Sequence, residues 1–467
     1  MNNVLKNKNV DLKITSKHSQ KYIDALLRNS RNMGLDKYFT HTANGDKAFT
    51  IEAPNLKFGL GVISELGEDA KASGITKAAL FVDPYVEQMD HFLKATASLK
   101  AAHIDFEIYN EIEIEPTDRS FRNAYRFAQD GNFDGFISIG GGSTMDTAKA
   151  ANLFATYPAD LFAYVNAPVG EAIPVPGSLM PHIACPTTFG TASETTGIAI
   201  FDILNQDMKT GIAHRALRPT LGLIDPQGLT TLPSAVIASN GFDVFSHAIE
   251  SYTAKPFTQR IAPKSASQRP LLQGANPYSD MACLEAIKIV GENIEKAVNQ
   301  SSPLEELEAL SLAGMLAGIG FGNAGCHLPH AMSYAVAGLV KNYKPEGWPK
   351  DHPMVPHGIS VIVNSPAAFS FTSVACPQRH LKAAEALGED IRNIPENRAG
   401  QVLGDKVIKL MKKTGLPNGL MGVGYSEEDI DALTENTLPT RRLLDISPRP
   451  IDKEDLKTIF RDAMSYW

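Results

Sequence analysis

The sequence predicts an α/β domain built on a parallel sheet, joined to a second domain made of helices alone. Two observations carry this. From Phe49 to about Asp225, short apolar runs alternate with helical patterns, the signature of parallel strands joined by crossover helices. After Leu232-Pro233 the strand signals fade into long apolar-periodic segments broken by Gly and Pro. The break falls near residue 230 of a 467-residue chain, long enough for two large domains or three ordinary ones.

In order, residues 1–45 read as an Asn- and Lys-rich N-terminal extension without a hydrophobic secretory core, with order expected only from Tyr22 to Leu27. Residues 46–230 form the α/β domain. Its strand-like runs are 78–82, 104–109, 136–139 and 221–224, each bounded by Gly, Pro, Asp or Asn. Helical patterns fill 61–72, 86–101, 117–129 and 144–157, the third opened by the start signal Pro116-Thr-Asp118. Residues 231–467 form the helical domain, with helices expected at 233–253, 280–299, 303–320, 331–339 and 401–414. The apolar stretch from Ala309 to Cys326 has the length of a membrane span. Its five glycines, with Ser311 and Asn323, mark it as a buried helix instead, so no membrane partner is expected.

Forty-four basic and fifty-two acidic side chains leave a net charge of −8, which lacks the global pull on phosphate backbones that non-specific nucleic-acid binding needs. Four cysteines without a CxxC pair offer neither a disulfide framework nor a zinc ribbon, which suits a reducing compartment: the cytoplasm, or the mitochondrial matrix in a eukaryote.

Three features carry chemistry. The run Phe136–Ile139 feeds Gly140-Gly-Gly-Ser143 and then a helix start, a place where backbone N–H groups can hold an anionic phosphate, though a plain loop shares the pattern. Asp83 closes an earlier strand, as an acceptor for ribose hydroxyls or as a cap for the next segment. Asp243 and His247, four apart in a helix, share a face as a metal pair must; Cys326-His-Leu-Pro-His330 and His352–His357 add imidazoles. One carboxylate with several imidazoles suits Fe(II) or Zn(II), and Cys326 reads as a small buried hydrophobe beside them. Basic side chains also cluster: residues 251–279 carry Lys255, Arg260, Lys264 and Arg269 and no acid, and residues 331–356 carry Lys341, Lys344 and Lys350. The latter three are candidates for a substrate carboxylate.

Gly140-Gly-Gly-Ser-Thr-Met-Asp-Thr-Ala-Lys149, Pro186-Thr-Thr-Phe-Gly-Thr-Ala-Ser-Glu194, Gly241-Phe-Asp-Val-Phe-Ser-His-Ala-Ile-Glu250 and Pro356-His-Gly358, in this order, resemble the iron-containing (group III) alcohol dehydrogenases. Leu221–Pro226, Gly318–Gly325, Met332–Tyr334, Gly338–Lys341 and Asp351–Gly358 resemble the hydroxyacid-oxoacid transhydrogenase branch of that family. The resemblance implies an N-terminal dinucleotide domain and a C-terminal metal domain of the dehydroquinate synthase-like fold. It implies a metal, Fe(II) before Zn(II), on Asp243, His247, His330 and His357. It implies NAD on Gly141, Gly142, Ser143 and Asp146, with Thr187 and Thr188 nearby, Asp83 on the ribose and Lys209 on the nicotinamide side. The implied activity passes hydride from a hydroxyacid such as 4-hydroxybutyrate to an oxoacid such as 2-oxoglutarate through bound NAD, in a homo-oligomer, a dimer. An NAD-dependent alcohol dehydrogenase acting on primary alcohols is the alternative, and a dehydroquinate-synthase-like enzyme or a metal-storing protein are further ones. Two departures stand out: Tyr334 replaces a histidine common in the family, leaving its catalytic role open, and Ala192 stands where glycine is common, which the turn tolerates if φ stays negative.

Overall fold

The computed structural model describes residues 38, 42–205, 208–300, 303–349 and 352–467; the segment Tyr22–Leu27 and Lys350 lie outside them. A six-stranded, all-parallel sheet runs in the order β1-β8-β5-β4-β2-β3, from β1 (Asn55–Phe58), β2 (Lys77–Val82), β3 (Asp105–Tyr109), β4 (Gly135–Gly140), β5 (His182–Pro186) and β8 (Leu221–Ile224). A separate antiparallel ribbon pairs β6 (Ile198–Ile203) with β7 (Met208–Ala213).

β2 and β4 read as apolar runs because both of their faces are covered. Ala78, Leu80 and Val82 point to one side, against Leu66 of α1 (Leu66–Ala72) and Phe92, Ala95 and Leu99 of α2 (Asp90–Ala101). Ala79 and Phe81 point to the other, against Ala124 and Ala128 of α3 (Asp118–Asp130) and Ala148 and Ala151 of α4 (Gly142–Thr156). The start signal before α3 is a capping box: the Ser120 N–H donates to Thr117 Oγ1 at 3.0 Å while Thr117 N–H donates to Ser120 Oγ at 2.9 Å. Such a cap contributes about 1 kcal/mol.

β1, β5 and the β6–β7 ribbon escape the sequence pattern. Asn55-Leu-Lys-Phe58 is a half-exposed edge, and β5 opens on the buried His182, whose Nε2 meets Ser138 Oγ at 2.8 Å, and closes on Pro186. Neither forms the apolar run by which β2 and, broken only at Ser138, β4 are legible.

The helical part begins with α5 (Ser234–Thr253), which is buried along almost its whole length. α6 (Pro277–Asn299) and α7 (Leu304–Ala324) pack on it through Ile287, Val290, Ile294, Leu307 and Leu310. α7 is long and apolar enough to cross a membrane, and it lies instead inside this core, with Ala313 and Ala317 fully buried. α8 (Leu328–Gly338), α9 (His357–Ile362), α10 (Ser365–Thr372), α11 (Pro377–Ala386), α12 (Ala399–Lys413), α13 (Ile430–Thr437), α14 (Arg441–Leu444) and α15 (Lys453–Asp462) complete it.

The tolerance expected at Ala192 rests on a negative φ, and the structure overturns that condition. Ala192 sits at φ 48°, in the left-handed region, which costs an L-residue roughly 1–2 kcal/mol. Gly318 of α7 makes room for its methyl: a Cβ built at 318 would lie 2.5 Å from Ala192 Cβ.

Candidate active site

Strand order places a crevice where β3 leads out and β4 returns on the other side of β2. Open parallel sheets bind ligands at such a switch point, beyond the carboxyl ends of the strands. Val82 pairs with Ile139 across β2 and β4, so Asp83 and Gly141 leave the sheet side by side. Both line a cavity of about 630 Å³ that continues to α5, α8 and α9.

At the sheet end, Gly141 leads into α4 without any side-chain cap, so the first N–H groups of this long helix face the cavity. Side chains here are excluded by close packing: a Cβ at Gly142 would come within 2.7 Å of Thr191 Cγ2. Uncapped N–H groups with positive dipole potential and no obstructing side chain form a seat for an anionic phosphate. Ser143, Thr187 and Thr188 line the same wall. Asp146 also lines it, but its carboxylate is spent internally, accepting from Ser193 Oγ at 2.5 Å and from the Ile200 N–H at 2.9 Å. It ties α4 to β6 and holds the turn in place. Asp83 Oδ1 accepts the Tyr85 and Val86 N–H groups at 3.0 Å, so the capping role is real for that oxygen even though the residue faces the cavity.

At the other end, four side chains from three helices converge. Asp243 and His247 lie one turn apart on α5, His330 on the first turn of α8, and His357 opens α9 after Pro356. Asp243 Oδ1 lies 3.7 Å from His247 Nδ1, 3.8 Å from His330 Nε2 and 3.6 Å from His357 Nε2. These separations are too long for hydrogen bonds, but close to the ~3.4 Å between two ligands that each sit ~2.1 Å from a tetrahedral ion. Asp243 Oδ1, His247 Nδ1 and His330 Nε2 are buried without any hydrogen-bond partner. Buried polar atoms are seldom orphaned, and three aimed at one point fit a cation between them. Burial, with Glu250 and Glu115 nearby, pushes the Asp243 carboxyl well above its ordinary range, so its ionised form calls for a counter-ion. Burial likewise pushes His247 and His357 well below theirs, which keeps the imidazoles neutral, the form that binds metal.

Glu250, two turns along α5 from Asp243, was not singled out by motif spacing, although seven residues on the same helix put it on the same face. Its Oε1 accepts His330 Nδ1 at 2.6 Å, and its Oε2 accepts the His327 N–H at 2.7 Å. This fixes the ring so that Nε2 points into the cluster. Cys326 lies close enough to Glu250 and His330 to suggest a second cation group, but both Glu250 oxygens are already engaged, and Cys326 is a buried thiol as its sequence context suggests.

Lys209 lies between the two ends. Its Nζ is 2.6 Å from Glu115 Oε2 and 3.0 Å from Asp202 Oδ1. Burial alone would lower the ammonium; the two carboxylates outweigh it and hold it above its ordinary value.

Of the lysines expected at a substrate carboxylate, the two within the described residues sit elsewhere. Lys341 is exposed and paired with Asp429 at 2.6 Å, Lys344 is exposed, and neither lines the cavity. Their segment gives the cavity Gly347, Trp348 and Pro349 instead. The basic stretch 251–279 does not reach the cavity either: Arg260 and Arg269 both bind the buried Asp46, Arg269 in a bidentate pair at 3.0 and 3.1 Å, and Lys255 donates to the Asp445 carbonyl. Burial would raise the Asp46 carboxyl, but the Arg269 hydrogen bond, the Ala48 N–H and the Arg260 charge outweigh it and hold it at about 2. A depressed carboxyl contributes stability above its unfolded value that is lost as pH falls through the folded one. Asp46→Asn should therefore cost about 2–3 kcal/mol at pH 7, and urea unfolding should show that gap closing as pH falls from about 4 to 2.

Comparison with known proteins agrees with this architecture. The iron-containing alcohol dehydrogenase family model matches residues 53–226, and the family's C-terminal model matches residues 271–464. The mitochondrial hydroxyacid-oxoacid transhydrogenase of Rattus norvegicus is 45% identical over 90% of this chain and 91% of its own length, and that of Bos taurus is 46% identical over the same shares. The structure of an alcohol dehydrogenase from Oenococcus oeni superposes with a TM-score of 0.78 at 27% identity, covering 89% of this chain and all of that one. The chain therefore belongs to the iron-containing alcohol dehydrogenase family of oxidoreductases.

Proposed function

We propose that this protein is a hydroxyacid-oxoacid transhydrogenase that passes hydride from a hydroxyacid such as 4-hydroxybutyrate to an oxoacid such as 2-oxoglutarate by way of NAD. The observation that supports it most is that one cavity contains both the uncapped start of α4 and the orphaned donor atoms of Asp243, His247 and His330. The likeness to transhydrogenases along 90% of the chain favours hydroxyacids over plain alcohols. The relatives are named mitochondrial, and in a eukaryotic source the matrix is the proposed location.

Asp243, His247, His330 and His357 would hold the metal, Fe(II) before Zn(II), since three imidazoles and one carboxylate form a borderline donor set. The ion supplies Lewis-acid polarisation of the substrate oxygen, and NAD carries the hydride. The backbone of Gly141 and Gly142 would seat the pyrophosphate, with Asp83 toward the ribose. Glu250 keeps His330 in the tautomer with Nε2 unprotonated. Tyr334, one turn after His330, accepts a hydrogen bond from Arg442 at 2.6 Å, which leaves its own O–H free to donate to substrate. In the first half-reaction the donor loses the hydride from its hydroxyl carbon and the hydroxyl proton; in the second the oxoacid carbonyl gains both.

The test uses the purified full chain without added nucleotide. Denaturation should release NAD and about one metal per chain, and 2-oxoglutarate should drive oxidation of 4-hydroxybutyrate at stoichiometric yield. Turnover only with free NAD, and no gain from 2-oxoglutarate, overturns the reading in favour of an ordinary NAD-dependent alcohol dehydrogenase.

A further inference from the structure

We propose that Arg442, held in place by Tyr334, receives the carboxylate at the non-reacting end of the substrate. The inference rests on the cluster around Asp243 being the reaction centre.

Among the described residues, two cations line the cavity, Lys209 and Arg442. Lys209 is neutralised by Glu115 and Asp202. Arg442 has no carboxylate partner among the described residues; its Nη2 donates to Tyr334 Oη at 2.6 Å, and its guanidinium carbon stands 5.7 Å from the centre of the Tyr334 ring. A half-buried guanidinium without an anion, in a cavity that Phe321, Trp348 and Leu443 also line, is costly unless a ligand supplies the charge. One of its five N–H donors is used by Tyr334. The remaining fork matches a carboxylate in bidentate geometry, which a lysine cannot offer.

Helix geometry ties Arg442 to the reaction centre. Tyr334 follows His330 by one turn of α8, so the two side chains start about 5–6 Å apart. His330 of the reaction centre and Tyr334 are thus borne by the same face of α8, and the hydrogen bond from Arg442 makes Tyr334 the positioning residue of that guanidinium. No motif announces this: α14 lies over a hundred residues beyond α8, and only folding brings the two together.

The experiment compares wild type, Arg442→Gln, Arg442→Lys and Tyr334→Phe as full chains loaded with metal and NAD. One readout is the ratio of kcat/KM for 4-hydroxybutyrate to that for butan-1-ol. The other is the Kd of glutarate, a dicarboxylate that cannot react, by calorimetry. In Arg442→Gln the ratio should fall on the order of 100-fold and the glutarate Kd should rise at least about tenfold. Arg442→Lys should fall between, and Tyr334→Phe should raise KM for the acid more than it lowers kcat. Should the glutamine variant not fold, a drop of the ratio in folded Arg442→Lys carries the test. Wild type that prefers the acid, with variants that keep both the preference and the glutarate affinity, overturns the Arg442 assignment alone. Wild type that neither prefers the acid nor binds glutarate overturns the carboxylate site and the transhydrogenase reading together.

Discussion

Asp243→Asn should yield a folded protein that retains no metal and has lost on the order of 10³-fold or more in kcat/KM. Asp243 is the one anionic member of the cluster, and its Oδ1 is the atom around which three imidazole nitrogens gather at 3.6–3.8 Å. Asparagine keeps the shape and removes the charge that a divalent ion needs. Stability should move the opposite way. In metal-free wild type, burial raises the Asp243 carboxyl well above its ordinary range and its Oδ1 has no hydrogen-bond partner, so ionising it as pH rises costs stability that the neutral amide does not lose. Chelation should therefore lower the denaturation midpoint of wild type, since the ion stabilises only the folded state, and leave Asp243→Asn unmoved. Glu250→Gln separates ligand from support. It keeps all four donors but weakens the hold on His330 Nδ1, so metal affinity should drop about 10–100-fold while bound metal still supports turnover. Elemental analysis after dialysis decides the matter: an Asp243→Asn protein that keeps its metal would show that the ion sits elsewhere.

What the sequence made legible follows from where the information lies. β2 and β4 are covered on both faces, so their apolar runs are broken only at Ser138; Asp243 and His247 share one helix, so a spacing of four reports a shared face. Clustering of histidines and then motif order brought His330 and His357 into consideration, and their convergence on Asp243 is a tertiary fact. The substrate end was opaque for the same reason. Lys341 and Lys344 are close to His330 in sequence, yet they leave the cavity for the surface, while Arg442 enters it from a four-residue helix with no pattern of its own. Charge counting failed in a related way: Arg260 and Arg269 look unopposed along the chain because their partner, Asp46, lies over two hundred residues earlier. Nor could spacing show that Ala192 turns through positive φ, since the space for its methyl is provided by Gly318 on a distant helix.

Lys209→Met should destabilise the protein by about 3–5 kcal/mol and impair activity with it. The ammonium is almost fully buried, and its two contacts are carboxylates at 2.6 and 3.0 Å. Without it, Glu115 and Asp202 lose their shared counter-ion beside the cavity, and Glu115 lies within electrostatic reach of Asp243. The cost is that of the carboxylates left behind rather than of the lost side chain, and pH exposes the difference. Burial already raises the Asp202 carboxyl above its ordinary value despite Lys209. Removing the lysine raises it further, and a carboxyl with a folded value above its unfolded one contributes stability at low pH that is lost as pH rises through the folded value. The deficit of Lys209→Met against wild type should therefore be smallest near pH 5 and grow toward pH 8, the reverse of the trend expected for Asp46→Asn. The triple variant that adds Glu115→Gln and Asp202→Asn should recover most of the stability at neutral pH. It should not recover the activity if the fixed positive charge beside His357 serves the reaction, because neutral amides restore the packing of the wall but not its field. Denaturant unfolding across that pH range, with turnover measured on the same samples, separates the two contributions of a single buried ammonium.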